Sequence, residues 1–435
     1  MKNAKHPEPI DLLPYMGKWS ALAIVVAILA GSASAAFLFS LDMVTAWREA
    51  HGWIIWLLPL AGFAVGWIYL RLGKSVEAGN NLLIDEIHDP KSVIPLRMAP
   101  LVLGGTIISH LFGASVGREG TAVQMGGALA DQLTHVFRMD LSHRRLLIMA
   151  GISAGFASVF GTPLAGAIFG LEVLAIGRMR YDAIMPCMLA AIVADQVGLA
   201  WGVHHTHYLA GAIPHITLWT LAATLAAGAM FGLAGMLFAN ATHGLGDFMK
   251  KRISYAPLRP LLGGVVVATA VWLLGTQRYI GLGIPTIVES FAHPLPAWDF
   301  LGKTAFTVLS LGTGFKGGEV TPLFYIGATL GNALAPLLHM PFALLAAIGF
   351  VAVFAGAANT PIASTVMAIE LFGSDIAPYA GLACAVSYLF SGHTGIYRAQ
   401  RVGQAKHQRH IPEGMRLGDL PNYLRQQRKK SDGEQ

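Results

Sequence analysis

The chain has 435 residues, 54% of them hydrophobic and only 12% charged, where soluble domains carry roughly 25% charged residues. That composition excludes an ordinary soluble domain and points to a membrane protein. The net charge of +6 is gathered at the end, where Arg398, Arg401, Lys406, Arg409, Arg416, Arg425, Arg428, Lys429 and Lys430 outnumber Glu413 and Asp419.

Taken in order, residues 1–17 form a short leading segment with Lys2 and Lys5. The apolar run Trp19–Leu41 is too long for a signal peptide and reads as a retained helix. Further runs follow, about ten or more against a spanning length of about 20 residues. Gly, Pro and short polar turns cut many of them into pieces too short to cross alone. Such pieces are tolerated where their ends line a cavity or are buried in protein, and the 50 glycines permit close helix packing. A transporter or channel interior fits this pattern. Cys187 and Cys384 lie in apolar surroundings without ligand spacing and read as packing residues, so no metal or cofactor is expected.

The chain repeats itself. "GTPLAGAIFGLE" at Gly161–Glu172 aligns without gaps to "NTPIASTVMAIE" at Asn359–Glu370; "GREGT" at Gly117–Thr121 lies over "GGEVT" at Gly317–Thr321; "GNNLLIDEI" at Gly79–Ile87 lies over "GLGIPTIVE" at Gly281–Glu289. Three matches in one order, about 200 residues apart, define two halves. We place them at residues 18–205 and 218–397, joined by a loop at 206–217 and followed by the basic tail 398–435. The positive-inside rule puts that tail, and the N-terminus with it, in the cytoplasm, as a solvated face with no nucleic-acid partner. Each repeated motif sets a Gly-rich turn before an apolar helix and so presents free N–H groups at a positive helix end. Paired broken segments in two halves mark a midplane site, and a ring of helix N-termini is an anion site.

These motifs resemble those of the CLC family of anion channels and anion/proton antiporters. "GREGTAVQ" is similar to the family's GREGP, "GGEVTP" at Gly317–Pro322 stands where it has GxFxP, and "GNNLLIDE" where it has GSGIPE. Tyr397 matches its inner-gate tyrosine, and the likeness runs from about Lys18 to Ala405. The resemblance implies an all-α polytopic membrane protein of two inverted-topology repeats of broken and tilted helices, a homodimer with one pathway per subunit, in the plasma or inner membrane. It also implies that Glu119 is a proton-linked gate. Asn80 replaces the serine of chloride-handling members, Val320 their phenylalanine, and Thr121 the proline after GREG. With Glu319 and Thr321, this variant resembles the fluoride-exporting branch, which often has methionine at the Asn80 position. Of the family's glutamate pair at the inner proton access, Glu172 remains and Val173 replaces the second, so no proton route is expected through Val173. No CBS-type regulatory domain is expected in residues 398–435.

On this reading Glu119 occupies the anion's place when ionised and leaves it when protonated. A salt bridge with Arg118 or a hydrated loop is its plainer explanation. Anion-facing groups are Asn80, Gly117, Arg118, Gly318, Glu319, Val320, Thr321 and Tyr397. A neutral Glu319 would join the Thr321 and Tyr397 hydroxyls, the Asn80 amide and the Val320 and Thr321 N–H groups as donors that replace the water of fluoride; its alternative is a helix cap. Asp85, Glu86 and His88 read as a helix-end cluster, Glu172 and Glu370 as caps or bonds to backbone in the other repeat, with a proton relay as the alternative, and His204, His205 and His207 as an exposed loop. Fluoride/proton exchange that exports fluoride is thus the expected activity. Chloride/proton exchange or a passive chloride channel is the alternative, and a carboxylate hydrolase lacks a nucleophile–base pair or metal spacing.

Overall fold

A computed structural model of the protein describes residues 9–407 and 411–433; Lys2, Lys5 and Arg409 lie outside them. Helix Pro9–Ala50 starts ahead of the expected boundary at Lys18, and its 42 residues reach about 60 Å, twice the hydrocarbon thickness. Among the described residues five helices are long and apolar enough to cross a membrane: Leu12–Ala50, Gly52–Gly73, Tyr181–Ala200, Leu218–Arg252 and Val320–Leu338. Met98–Phe112, Pro163–Glu172, Leu258–Leu274, Phe342–Ala358 and Pro361–Phe372 are apolar but shorter. The expected ten or so spans therefore divide into long helices and short ones that lie against them.

The two halves correspond element by element. Met98–Phe112 and Asp299–Thr313 each have 15 residues and end on a left-handed glycine, Gly113 or Gly314. Helices Asn80–His88 and Ile284–Ala292 each have nine residues and follow glycines with positive φ, Gly79 and Gly283. Asp131 accepts the Ile94 N–H at 2.7 Å in the first half, and Asn332 accepts the Leu295 N–H at 2.9 Å in the second. The contacts between the halves are reciprocal. Gly117 and Gly318 exchange both backbone bonds, and Glu172 and Glu370 each reach the helix that carries the other. Reciprocal contacts of this kind are what a two-fold relation produces, and they fit the inverted repeats the sequence led us to expect.

Paired glycines bring the helix backbones together. Gly151 lies on the Gly126 carbonyl in the first half and Gly349 on the Gly327 carbonyl in the second, so a Cβ on either collides with main chain. We expect Gly349→Val to lower the thermal midpoint of the detergent-solubilised protein, at a cost of about 1–3 kcal/mol. Gly244→Ala, on a helix with nothing within 4 Å of its added Cβ, should hold the wild-type midpoint.

The first part of the basic tail is anchored to the body, while Arg425 and Lys429 stay exposed as a solvated face. Arg401–Val402 pairs in parallel with Ala175–Ile176, and Ile176, Val402, Leu417 and Leu420 share a small core. Arg398 binds Asp247 at 2.7 Å and Arg416 binds Asp85 at 2.6 Å. Glu86, expected at a helix-end cluster, is instead buried against Arg144, whose guanidinium also grips Asp131 at 2.6 Å.

Candidate functional site

Three helices begin at one place: Asn80–His88, Glu119–Val136 and Val320–Leu338. What joins their turns is a bond between glycines. Gly117 N–H donates to the Gly318 carbonyl at 2.6 Å, and Gly318 N–H returns a bond to Gly117 at 2.8 Å. A Cβ on Gly318 would stand 2.8 Å from the Gly120 nitrogen, and one on Gly117 would stand 2.9 Å from both the Gly318 carbonyl and a Glu119 carboxylate oxygen. Glycine is required here for close approach. The amides of Gly117 and Gly318, expected to face the ion, bond each other, which leaves them no N–H to offer it.

Glu119 is the first residue of its helix and is buried, 1% exposed. One carboxylate oxygen accepts the N–H of Arg118 at 3.1 Å and that of Thr321 at 3.0 Å. The other accepts the Thr321 hydroxyl and lies 3.7 Å from Arg118 Nε. The ion pair with Arg118 thus exists, but the carboxylate is also bound across the repeat boundary, to the N-terminus of the helix that starts at Val320. On one side of it lies a niche of about 20 Å³ bounded by Arg118, Glu119, Thr321, His205, Tyr208 and Phe324, the size of about one water molecule; we call this the outer side and the other the inner.

On the opposite side a vestibule of about 800 Å³ holds Asn80, Glu319, Tyr397 and Lys316 on its walls. It opens on the face that carries the tail, and Arg398 lines it. Glu319 stands at the N-cap of its helix and makes no side-chain capping bond. Asn80 packs beside Gly120, and its Oδ1 has no hydrogen-bond partner among the described residues; a half-turn of the amide would aim N–H donors at the same point. Val320 is buried and lines neither cavity.

The residues expected to face the anion thus divide into two groups. Arg118, Glu119 and Thr321 form the outer one, while Asn80, Glu319 and Tyr397 form the inner one, with the bonded glycines between them. Chemically, a carboxylate now occupies two donors at a helix N-terminus, and its departure would free them for a small anion.

Some contributors escaped the reading of the sequence. Asn81 accepts the Ala399 N–H at 2.9 Å and ties the Tyr397 segment to the Asn80 turn; the doubled asparagine was its one signal. His205, expected in an exposed loop, is half-buried in the outer niche against Gly161. A Cβ on that left-handed glycine would lie 2.5 Å from the imidazole Cδ2, so the ring fills the space the glycine leaves.

Residues 61–392 match the model of the voltage gated chloride channel family. A chloride/fluoride channel protein of Pseudomonas syringae pv. tomato is 68% identical over 99% of this chain and 97% of its own. An H(+)/Cl(-) exchange transporter, ClcA of Cronobacter sakazakii, is 26% identical over 80% of this chain and 81% of its own. Among solved structures, a CLC-type fluoride/proton antiporter superposes with a TM-score of 0.87 at 35% identity, covering 91% of this chain and all 100% of that one. A slow cyanobacterial Cl-/H+ antiporter shares the fold at 18% identity, with a TM-score of 0.76 over 86% of this chain and 94% of its own.

Proposed function

Because the chain belongs to the CLC family of voltage gated chloride channels, we propose that it exchanges fluoride for protons and so exports fluoride from the cytoplasm. Membership makes it a membrane transport protein rather than an enzyme. The observation that carries the reading is the Glu119 carboxylate seated on the Thr321 N–H and hydroxyl, between an outer niche and an inner vestibule. Protonation weakens its hold on those donors and lets it swing away; an anion then takes the donors, and the proton leaves with the carboxyl. Glu119 is the gate and proton carrier in this scheme. Arg118 supplies positive potential at the outer side, Thr321 the donors, and Asn80, Glu319 and Tyr397 the polar groups that replace hydration on the inner side.

The fluoride assignment is supported by the "GGEVT" variant, by likeness to the 35%-identical fluoride/proton antiporter and by likeness to the 68%-identical chloride/fluoride channel protein. We take both termini and the vestibule as cytoplasmic and the assembly as a homodimer in the plasma or inner membrane, each subunit with its own pathway. The basic residues of the tail-bearing face support that orientation.

Purified protein in liposomes, with anion efflux and proton uptake read together, tests the proposal. Fluoride should leave and protons should enter in step. Equal transport of chloride would favour a chloride/proton antiporter, and fluoride movement without protons a passive channel. Asn80→Ser should lower the fluoride-over-chloride preference by about tenfold, the equivalent of one lost charge-assisted hydrogen bond. An unchanged preference would move selectivity away from Asn80.

A further inference from the structure

Lys316 immediately precedes the Gly317-Gly318-Glu319 turn and lines the vestibule. Its ammonium forms no hydrogen bond and no ion pair among the described residues. Nζ instead stands 4.0 Å from the centroid of the Tyr69 ring. The other inward basic side chains are matched: Arg144 by Asp131 and Glu86, and Lys303 by the carbonyls of Tyr279 and Gly281. Lys406 likewise donates to the Tyr388 carbonyl and the Ser391 hydroxyl. Lys316 has a ring face alone.

The slot for this pair is built by two backbone features. Tyr69 opens a π-helical turn, Tyr69–Gly73, at the end of helix Leu58–Ile68, and such turns concentrate at functional positions. Opposite it, Gly105 leaves room, since a Cβ there would lie 3.1 Å from the Lys316 Cβ and Cγ and 3.4 Å from Tyr69 Cε2. Among the charged groups that line the vestibule, Asp247 is held by Arg398 at 2.7 Å and Arg259 donates to the Ile253 carbonyl at 2.9 Å; Glu77 acts on Lys316 only through its field, and Lys74, Lys250 and Glu319 form no ion pair with it.

An ammonium in an apolar surround is stabilised by a counter-charge. A ring supplies part of that on one side and leaves the N–H donors on the other side open. Glu77 and Glu319 share the vestibule but neither pairs with Lys316, so its open N–H donors are left to an anion from the vestibule water. We propose that Lys316, seated on Tyr69, is a capture site for the transported anion, a small hydrated halide, one step before Glu319, Asn80 and Tyr397. This rests on the reading of the vestibule as the anion's path.

The test is initial anion flux from the vestibule side of oriented proteoliposomes, measured over a range of anion concentrations for the wild type, K316Q, K316M and K316R. K316M keeps the apolar stem against the ring and removes the charge. In K316Q and K316M the half-saturating anion concentration should rise about tenfold at low ionic strength with the maximal rate kept, and the gap should close as an impermeant salt is added. K316R should stay near the wild type. Wild-type half-saturation in both neutral variants, or a loss confined to the maximal rate, would overturn the proposal. If the wild type carries chloride in place of fluoride, the fluoride reading falls while the shift at Lys316 is read for chloride.

Discussion

Glu119→Gln should abolish proton movement driven by an anion gradient, a fall of about a hundredfold or more, to the leak of empty liposomes. The reasoning is local. Glutamine has nearly the shape of glutamate, so its amide oxygen can still accept the Thr321 N–H while its NH2 donates to the Thr321 hydroxyl oxygen, but it cannot take up or release a proton in the working pH range. An anion can still compete for those donors; no proton can travel with the side chain that leaves. Folding should be preserved, because the remaining bond to the Arg118 N–H at 3.1 Å uses the same oxygen position. Thr321→Val is the complement. It deletes the hydroxyl donor and keeps the N–H, so coupling should persist with weaker anion binding. Full proton coupling in the glutamine variant would remove Glu119 from the mechanism, whichever anion is carried.

The halves and the short helices were legible in the sequence because their signals are local. A Thr-Pro start followed by an apolar run and a glutamate repeats in both halves, and the matched helices Pro163–Glu172 and Pro361–Phe372 follow it. The site was legible as a set of motifs, but its division was not. Glu119 and Thr321 are 202 positions apart, and nothing in either motif says that the carboxylate of one fills the donors of the other. Gly117 and Gly318 were expected to face the ion for the same reason. Each motif alone presents a free amide, and only the antiparallel meeting of the two turns uses those amides up. Which apolar runs span and which do not is likewise a matter of packing, since Phe342–Ala358 is wholly apolar yet has 17 residues and is buried among its neighbours. Lys316 escaped notice because a lysine before a glycine turn looks like a loop charge until its lack of a carboxylate partner is seen.

Glu172→Ala should be the most destabilising of the substitutions considered, at about 2–4 kcal/mol for the buried Ala363 N–H and the part-buried Ile362 N–H left without acceptors. The Glu172 carboxylate takes the N–H of Ile362 at 3.0 Å and of Ala363 at 2.8 Å. Glu370 does the same for Leu164 and Ala165, both at 2.8 Å. Pro163 and Pro361 lead the two helices, where a missing N–H costs nothing, and the next two amides are the ones each glutamate satisfies. The pair therefore ties helix end to helix end across the repeats, with negative charge at the positive termini. In Glu172→Gln one acceptor oxygen remains, so about half the cost should appear. Thermal midpoints in detergent check the order: wild type, then Gln, then Ala, with the Ala double substitution at 172 and 370 failing to accumulate folded protein. Transport decides the role. If the carboxylates are structural, Glu172→Gln keeps wild-type proton coupling per folded molecule; if Glu172 relays protons, coupling falls while the midpoint moves little. The bonds to both amides of the opposing helix favour the first result, because a carboxylate held at both oxygens is poorly placed to rotate and hand a proton on.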